Sequence, residues 1–275
     1  MGTFQTLKKA MSKIHKTAII EGDVEIDEDV EIGPYTYISG KVKIGRGTKV
    51  GPHCVIVGKV SIGEGNIIHH SVSIGQPPQD LNYKGEESGV IIGRDNIIRE
   101  FVTIHRATGE GKNTVIGDNN FLMAYVHIAH NCKLGNGITI ANSAHLAGYV
   151  EVEDHAFISG VLGIHQWCRV GAYAMVGGMT RLNQDAPPYF MTVGYEPEVV
   201  GLNIVGLRRK GFSQGRIEIL KFAYKTIYMS NLRLEDALRL LEEKFPESED
   251  IKHLVDFYRR SKRGVVMRGG NSTLS

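Results

Sequence analysis

The dominant feature of the sequence is a six-residue repeat of aliphatic residues that runs from Ile14 to Leu182. Stepping by six from Ile14, 26 of the 29 positions are Ile, Leu or Val. The three exceptions, Asp80, Glu86 and Glu110, fall in two segments after which the repeat resumes in the same register. A fixed short period of this kind indicates a repeat fold, in which each unit buries its apolar side chains against its neighbours.

Residue types within the repeat favour short β-strands joined by tight corners. The repeat units combine β-branched residues, which suit a pleated strand, with glycine, which accepts a positive φ angle; examples are IGRGTK, VGPHCV and IGEGNI. If three units make one turn, each coil has eighteen residues, the repeat spans roughly ten coils, and side chains eighteen residues apart stack. The period predicts a parallel β-solenoid but leaves its handedness open.

Two segments interrupt the repeat, at residues 75–91 and 105–115. Both are polar and rich in glycine, and the first contains two prolines. We interpret them as loops that project from a continuous solenoid. Loops on a rigid scaffold commonly carry binding groups.

Helical patterns follow the repeat. Ser213 is a candidate N-cap, and Pro246 separates the second pattern from the third. The predicted apolar faces are Ile217, Leu220, Tyr224 and Ile227; then Leu234, Leu238 and Leu241; then Ile251, Leu254, Val255 and Tyr258. We therefore predict a β-helix over 14–194 and a small helical domain over 195–262, with an N-terminal extension at 1–13 and a flexible tail at 263–275.

Charge and hydropathy limit the classes of protein to consider. The formal charge of +2 argues against a general nucleic-acid binder. No apolar run reaches the ~20 residues of a membrane helix, and the first residues lack the apolar core of a secretory signal. A cytoplasmic protein is expected. Its three cysteines, Cys54, Cys132 and Cys168, occupy a slot that small residues fill elsewhere, so we predict buried free thiols.

A histidine cluster in the segment AYVHIAHNC is the strongest candidate for chemistry. His127 and His130 flank the in-phase residue Ile128, which places both near an outward-facing corner. His145 lies eighteen residues after His127, so these two should stack, and His165 is close to the next coil. An imidazole with a pKa of ~6.5 can act as a general base. A zinc site is less favoured because no H-x-x-x-x-H spacing occurs, and a solvated surface cluster remains open.

Five motifs carry a resemblance to a known family. They are QDLNYKGE (79–86), IIREFVTIHR (97–106), HIAHNC (127–132), HQWCRVGAYAMVGG (165–178) and GLNIVGLRRKGF (201–212). Together, over about residues 14–262, they resemble the UDP-N-acetylglucosamine O-acyltransferases. The resemblance implies a left-handed parallel β-helix and a homotrimer with active sites between subunits. It also implies transfer of a 3-hydroxyacyl chain from acyl carrier protein to the sugar 3-hydroxyl, the first step of lipid A biosynthesis, with no cofactor and no metal.

The resemblance also implies residue roles. His130 resembles the general base, and the backbone N–H of Gly148 resembles the oxyanion donor. The other positions that it assigns are sugar and acyl-chain contacts at Gln79 and Asp80, the lining of the substrate sites at His127, His165 and Gln166, nucleotide contacts at Asn203 and Arg209, and control of acyl-chain length at Gly178. A glycine at position 178 predicts a long acyl chain.

Three positions depart from the family pattern. Asn131 follows the base where the family often has Asp, Tyr149 stands where some members have His, and Asn82 stands where some have Lys. An amide at 131 can orient an imidazole but supplies no charge. Since an amine attacks without prior deprotonation, a 3-amino analogue of the sugar is an alternative acceptor.

Other functions also fit parts of the pattern. One alternative is the N-acyltransferase of a later lipid A step, although that family resembles this chain only after an additional N-terminal domain. A coenzyme A-dependent acyltransferase and a non-catalytic β-helix scaffold are the others. A basic rim for an acidic carrier protein is predicted at Arg169, Arg181, Arg208, Arg209 and Lys210.

Overall fold

The computed structural model describes residues 12–267, which form a left-handed parallel β-helix of about ten coils followed by helices. The fold class predicted from the repeat and the resemblance is confirmed. The strands, in chain order, are β1 (Lys13–Ile14), β2 (Ile19–Ile26), β3 (Glu31–Ile32), β4 (Tyr37–Ile44), β5 (Lys49–Val50), β6 (Val55–Ile62), β7 (Ile67–Ile68), β8 (Ser73–Gln76), β9 (Gly89–Ile92), β10 (Ile97–Ile98), β11 (Thr103–His105), β12 (Asn113–Ile116), β13 (Phe121–Leu122), β14 (His127–Ile128), β15 (Lys133–Leu134), β16 (Thr139–Ile140), β17 (Ala144–Leu146), β18 (Glu151–Val152), β19 (Phe157–Ile158), β20 (Leu162–Ile164), β21 (Arg169–Val170), β22 (Met175–Val176), β23 (Arg181–Leu182), β24 (Phe190–Val193) and β25 (Glu198–Leu202).

The strands make three faces of a prism. Face A is formed by β1, β3, β5, β7, β10, β13, β16, β19 and β22, and β24 and β25 extend it. The long strands β2, β4 and β6 each cover two faces and bend at a glycine with positive φ, such as Gly40 at 108°. From β6 onward, face B continues as β8, β11, β14, β17, β20 and β23, and face C as β9, β12, β15, β18 and β21.

In-phase aliphatic side chains fill the interior of the prism. Those from Ile32 to Leu182 are buried, whereas Ile14, in the first of the described coils, is 47% exposed. The three cysteines are buried free thiols, as predicted. Burial raises the pKa of Cys54 to about 11, so that thiol stays protonated at neutral pH.

A ladder of buried asparagines replaces apolar residues at one corner. The Oδ1 atom of Asn66 accepts hydrogen bonds from the backbone N–H and the side chain of Asn96, at 3.0 and 2.9 Å. Asn96 Oδ1 accepts the Asn120 N–H at 2.8 Å, and Asn120 Oδ1 accepts the Ile138 N–H at 2.8 Å. The ladder therefore satisfies corner amides on successive coils, including those separated by the loops.

Asn96→Ala should lower the free energy of unfolding by roughly 1–3 kcal/mol, because the Asn120 N–H loses its buried acceptor, whereas Asn66 Oδ1 keeps the backbone N–H of residue 96. Urea unfolding followed by circular dichroism, at one fixed protein concentration, measures the change. Asn142→Ala is the matched control, because that side chain is exposed on the same prism. Equal shifts for the two variants would contradict a structural role for the ladder.

The two interruptions are loops, but shorter than predicted. The chain leaves the prism at 77–88 and 106–112, between β8 and β9 and between β11 and β12. The loops also bind each other, which the sequence did not predict. Glu86 Oε1 accepts the Gly109 N–H at 2.9 Å, and Glu110 Oε2 accepts the Glu87 N–H at 3.1 Å. The carboxylates that break the aliphatic repeat thus hold the loops together.

The C-terminal part contains the three predicted helices and one more. They are α1 (Ile204–Arg209), α2 (Gln214–Tyr228), α3 (Leu234–Lys244) and α4 (Glu249–Arg259), of which α1 was not predicted. The hydroxyl of Ser213 caps α2, as expected, by accepting the Arg216 N–H. Between residues 12 and 267, none of the helices has both the length and the apolar character that crossing a membrane requires.

The prediction of a flexible tail from residue 263 is wrong for its first residues. Val266 is fully buried and its N–H donates to the Asp185 carbonyl at 2.9 Å, so this segment packs against the end of the prism. The predicted N-terminal extension up to residue 11, and the tail from residue 268, lie outside the described residues.

Candidate active site

A cleft of about 500 Å³ lies on face B, at the corner that leads to face C. Strands β14, β17, β20 and β23 supply its floor on consecutive coils. It brings together six of the predicted site residues: Gln79, His127, His130, Gly148, His165 and Gln166. Arg181, predicted as part of a basic rim, also lines it.

His130 sits at the corner after β14 and is 7% exposed. Its Nδ1 atom lies 2.9 Å from Oδ1 of Asn131, whose backbone has a left-handed φ of 59°. Asparagine tolerates that conformation better than most residues. The corner thus turns the Asn131 side chain back onto the imidazole.

The amide of Asn131 has only one orientation that satisfies its partners. The backbone N–H of Thr108 lies 2.9 Å from Oδ1, and the Thr108 carbonyl lies 3.0 Å from Nδ2. An N–H can only donate and a carbonyl can only accept, so Oδ1 must face His130 as an acceptor. His130 therefore carries its proton on Nδ1, and its Nε2 lone pair is free to accept a proton.

Gly148 lies against the imidazole of His130, one coil further along the prism. A Cβ atom placed on Gly148 would lie 2.5 Å from Nε2 of His130, closer than atoms in contact can approach. Within residues 12–267 the Gly148 N–H makes no hydrogen bond, although the next N–H, of Tyr149, donates to the His130 carbonyl at 3.0 Å. The absence of a side chain therefore brings a free N–H donor next to the base.

Histidines on face B form a wall beside His130. His127 and His145 are register partners on β14 and β17, as predicted, while the next partner is Gly163, so His165 is not part of the ladder. Burial, and secondarily the neighbouring imidazoles, lowers the pKa of His127 to about 4. His127 is therefore neutral at pH 7 and serves as a hydrogen-bonding group; its Nδ1 lies 2.7 Å from Oγ1 of Thr103.

His105 lies against the cleft residue His127, and it was not among the predicted site residues. It is 8% exposed, its ring centroid lies 4.9 Å from that of His127, and its Nδ1 atom is buried without a hydrogen-bond partner. The pKa of His105 is lowered mainly by burial and further by the charge of His130. The eighteen-residue spacing that relates His127 to His145 did not point to His105, because the loop between β11 and β12 interrupts that spacing.

Tyr149 and Trp167 form the opposite side of the corner. Their rings stack with centroids 3.7 Å apart, and Tyr149 meets the imidazole of His130 edge-on at 5.3 Å. Trp167 is 54% exposed. The departure at Tyr149 thus replaces a second imidazole with an aromatic wall.

Two predicted nucleotide contacts lie elsewhere in this chain. Asn203 and Arg209 line a separate cavity of about 540 Å³ on face A, with Phe157 and Met175. The Asn203 side chain is already used: its Oδ1 accepts the Gly206 N–H at 3.1 Å as the cap of α1, and its Nδ2 donates to the Tyr173 carbonyl at 2.9 Å. A single chain does not bring these residues to His130.

Gly178 is exposed at the corner between faces A and B. A Cβ there would approach only the Gly160 carbonyl oxygen at 3.4 Å and Ser159 Cβ at 3.9 Å, which are ordinary contacts.

Arg169, predicted as part of a basic rim, does not form one. Its side chain is 15% exposed, pairs with Glu153 and packs 4.1 Å from the centre of the Phe257 ring.

Among residues 12–267, no three His, Cys, Asp or Glu side chains converge in a way that could hold a metal ion. Around His130, the arrangement offers proton transfer by an imidazole that lies beside a free N–H donor. Such a pair suits transfer of an acyl group through a tetrahedral intermediate.

Comparison with known proteins points to the same chemistry. Residues 185–266 match the family model "Udp N-acetylglucosamine O-acyltransferase; Domain 2", and residues 113–148 match "Bacterial transferase hexapeptide (six repeats)". An acyl-[acyl-carrier-protein]–UDP-N-acetylglucosamine O-acyltransferase of Thermodesulfovibrio yellowstonii is 52% identical over 257 residues, which cover 93% of this chain and 99% of that protein. The Paraburkholderia phymatum protein of that name is 45% identical over 261 residues, covering 93% and 100%.

Solved structures agree over more than nine-tenths of the chain. The UDP-N-acetylglucosamine acyltransferase of Francisella novicida is 36% identical with a TM-score of 0.91, covering 95% of this chain and 96% of that one. The acyltransferase LpxA of Acinetobacter baumannii is 41% identical with a TM-score of 0.88, covering 92% and 99%. The chain is therefore an acyltransferase and belongs to the UDP-N-acetylglucosamine O-acyltransferase family.

Proposed function

We propose that this protein transfers a 3-hydroxyacyl chain from acyl carrier protein to the 3-hydroxyl of UDP-N-acetylglucosamine. The reaction would be the first step of lipid A biosynthesis, in the cytoplasm, and would use no cofactor. The observation that carries the proposal is the free Nε2 of His130 beside the free N–H of Gly148, in a chain of this family.

The proposed mechanism assigns one step to each group. Nε2 of His130 takes the proton of the sugar hydroxyl as its oxygen attacks the thioester carbonyl carbon. The N–H of Gly148 donates to the carbonyl oxygen, which becomes negative in the tetrahedral intermediate. When the carbon–sulfur bond breaks, the imidazolium returns its proton to the leaving thiolate. His127, neutral at pH 7, can hydrogen-bond the sugar without adding charge.

We propose a homotrimer in which adjacent subunits complete each site. The corner between faces A and B exposes a row of large apolar side chains that water does not favour: Tyr35, Phe101, Tyr125, Val161 and Met179. Asn203 and Arg209 lie on face A, whereas His130 faces a cleft on face B. A second copy that set its face A against this face B would bring Arg209, whose planar fork suits phosphate, to the nucleotide end.

A 3-amino sugar is the second candidate acceptor. Asn131 favours it, since an amine attacks without losing a proton first and needs less from the base than a hydroxyl does. The product distinguishes the two, because the hydroxyl gives an ester and the amine gives an amide.

Mass spectrometry of the products tests the proposal. The full-length protein is mixed with 3-hydroxyacyl carrier protein and equal amounts of UDP-N-acetylglucosamine and its 3-amino analogue. An ester supports the proposed acceptor, and an amide alone replaces it with the amino sugar. No product from either sugar would contradict both, and would favour the N-acyltransferase or the scaffold interpretation.

Gly178→Met should move the donor preference toward shorter acyl chains by ~10-fold or more, as single methylenes do in apolar pockets. The exposed corner has room for a side chain, so folding should be unaffected. A competition between carrier proteins loaded with short and long chains measures the ratio, with Gly178→Ala as the graded control. An unchanged ratio would show that Gly178 only turns the corner.

A further inference from the structure

Thr108, at the tip of the second loop, contacts three groups of the site without lining the cleft. Its backbone N–H and carbonyl bind Oδ1 and Nδ2 of Asn131, at 2.9 and 3.0 Å. Its Oγ1 atom donates to Oδ2 of Asp80 in the first loop, at 3.0 Å. One residue therefore joins the two loops to the amide that contacts His130.

The backbone contacts require an amide at position 131. A carboxylate there would set a second oxygen against the Thr108 carbonyl oxygen, where Nδ2 now donates. Asn131 is also fixed from behind, because its own N–H donates to Thr114 Oγ1 at 2.9 Å. The loop geometry therefore fits an asparagine at position 131 better than an aspartate. The same geometry directs Oδ1 of Asn131 toward His130, which places the proton of His130 on Nδ1.

The hydroxyl of Thr108 contacts a carboxylate, that of Asp80, which supplies the negative charge that Asn131 lacks. Asp80 also accepts the Asn82 N–H at 2.9 Å, and this bond is the largest cause of the lowered pKa of its carboxyl group. The Thr108 hydroxyl and the charge of His130 lower that pKa further. Asp80 is therefore ionised at neutral pH. Its neighbour Gln79 lines the cleft with His130, and Thr108 connects the Asp80 carboxylate to Asn131, the residue after His130.

Resting on the proposed function, we infer that Thr108 is a positioning residue with two tasks. Through its main chain it holds Asn131 so that His130 keeps its proton on Nδ1. Through its hydroxyl it holds the Asp80 carboxylate near the imidazolium that forms during catalysis, in place of the carboxylate that position 131 lacks. Among residues 12–267, the imidazoles of His105 and His127 also interact with His130, and burial lowers the pKa of both, so neither supplies a negative charge.

The first test compares Thr108→Val with Thr108→Ser in the full-length enzyme. Valine keeps the shape and the backbone but loses the bond to Asp80, so kcat should fall by ~10- to 100-fold, as loss of positioning does. The loss should appear in kcat more than in KM, because Thr108 does not line the cleft. Serine keeps the hydroxyl and should stay within about twofold of wild type. Equal kcat for the two variants, or a loss in Thr108→Val that appears only in KM, would overturn the inference.

A second readout does not depend on substrate. Nitrogen-15 spectra of the histidine rings, assigned with His130→Gln, report which ring nitrogen carries the proton. We expect the Nδ1–H form in wild type and Thr108→Ser, and a mixture of both forms in Asn131→Ala. An Nε2–H form in the wild type would overturn the inference even if the enzyme were active. A wild type with the Nδ1–H form but no acyl transfer would instead contradict the proposed function.

Discussion

His130→Gln is expected to reduce kcat by ~10² to 10⁴-fold, the contribution of a well-placed general base. Glutamine fills similar space and can still hydrogen-bond, but it cannot accept a proton from the sugar hydroxyl. Because His130 lies at a corner and not among the core aliphatics, the variant should fold normally. Turnover of 3-hydroxyacyl carrier protein with UDP-N-acetylglucosamine measures the effect.

His145→Gln provides the matched control for His130. It changes another histidine of the same cleft, on the neighbouring coil, whose side chain is exposed and makes no hydrogen bond within residues 12–267. We expect it to alter KM more than kcat. If both variants lost kcat to the same extent, the assignment of the base to His130 would fail.

Gly148→Ala is the second substitution with a large expected effect. The added methyl group would have to occupy space 2.5 Å from Nε2 of His130, so the imidazole or the corner must move. Displacement of a reacting group by about 1 Å costs ~10²-fold, and we expect at least that loss in kcat. The same movement disturbs the N–H proposed to stabilise the oxyanion.

Gly163→Ala is a close control for Gly148→Ala. Gly163 lines the same cleft on the next coil, yet a Cβ on it would meet no atom within 4 Å. It should therefore retain kcat. Comparable activity of the Gly148 and Gly163 variants would show that close packing against His130 is not needed for catalysis.

The repeat predicted the β-helix because one physical requirement, burial of an aliphatic side chain at each sixth residue, is visible at every coil. It also predicted that His127 and His145 would stack, since both belong to uninterrupted coils. The role of Gly148 came from family resemblance alone. The structure shows why a glycine fits at this position, which is the close approach of the His130 ring from the preceding coil, whereas the oxyanion role stays a prediction.

Contacts across the loops could not be predicted in this way. Thr108 and Asn131 are 23 residues apart and Thr108 and Asp80 are 28 apart, distances that match no multiple of the repeat. Arg169 was misplaced for a related reason, because its partner Phe257 belongs to a helix whose docking position has no periodic signal. Helix α1 was too short for its apolar spacing to be recognised.

The long strand β6 pairs with two strands that lie on opposite sides of a loop in sequence. Its first half pairs with β8, and its second half pairs with β9, so that Lys59 faces Gly89 across thirty residues as closely as Lys41 faces Lys59 across eighteen. The number of residues that connect two coils therefore does not change the distance between those coils along the prism axis. Because longer loops add only a small entropic cost to closure, a β-helix can gain new segments without changing the distance between groups on adjacent coils. In this protein, the two loops could therefore change in length while His130 and Gly148 keep the same distance on adjacent coils.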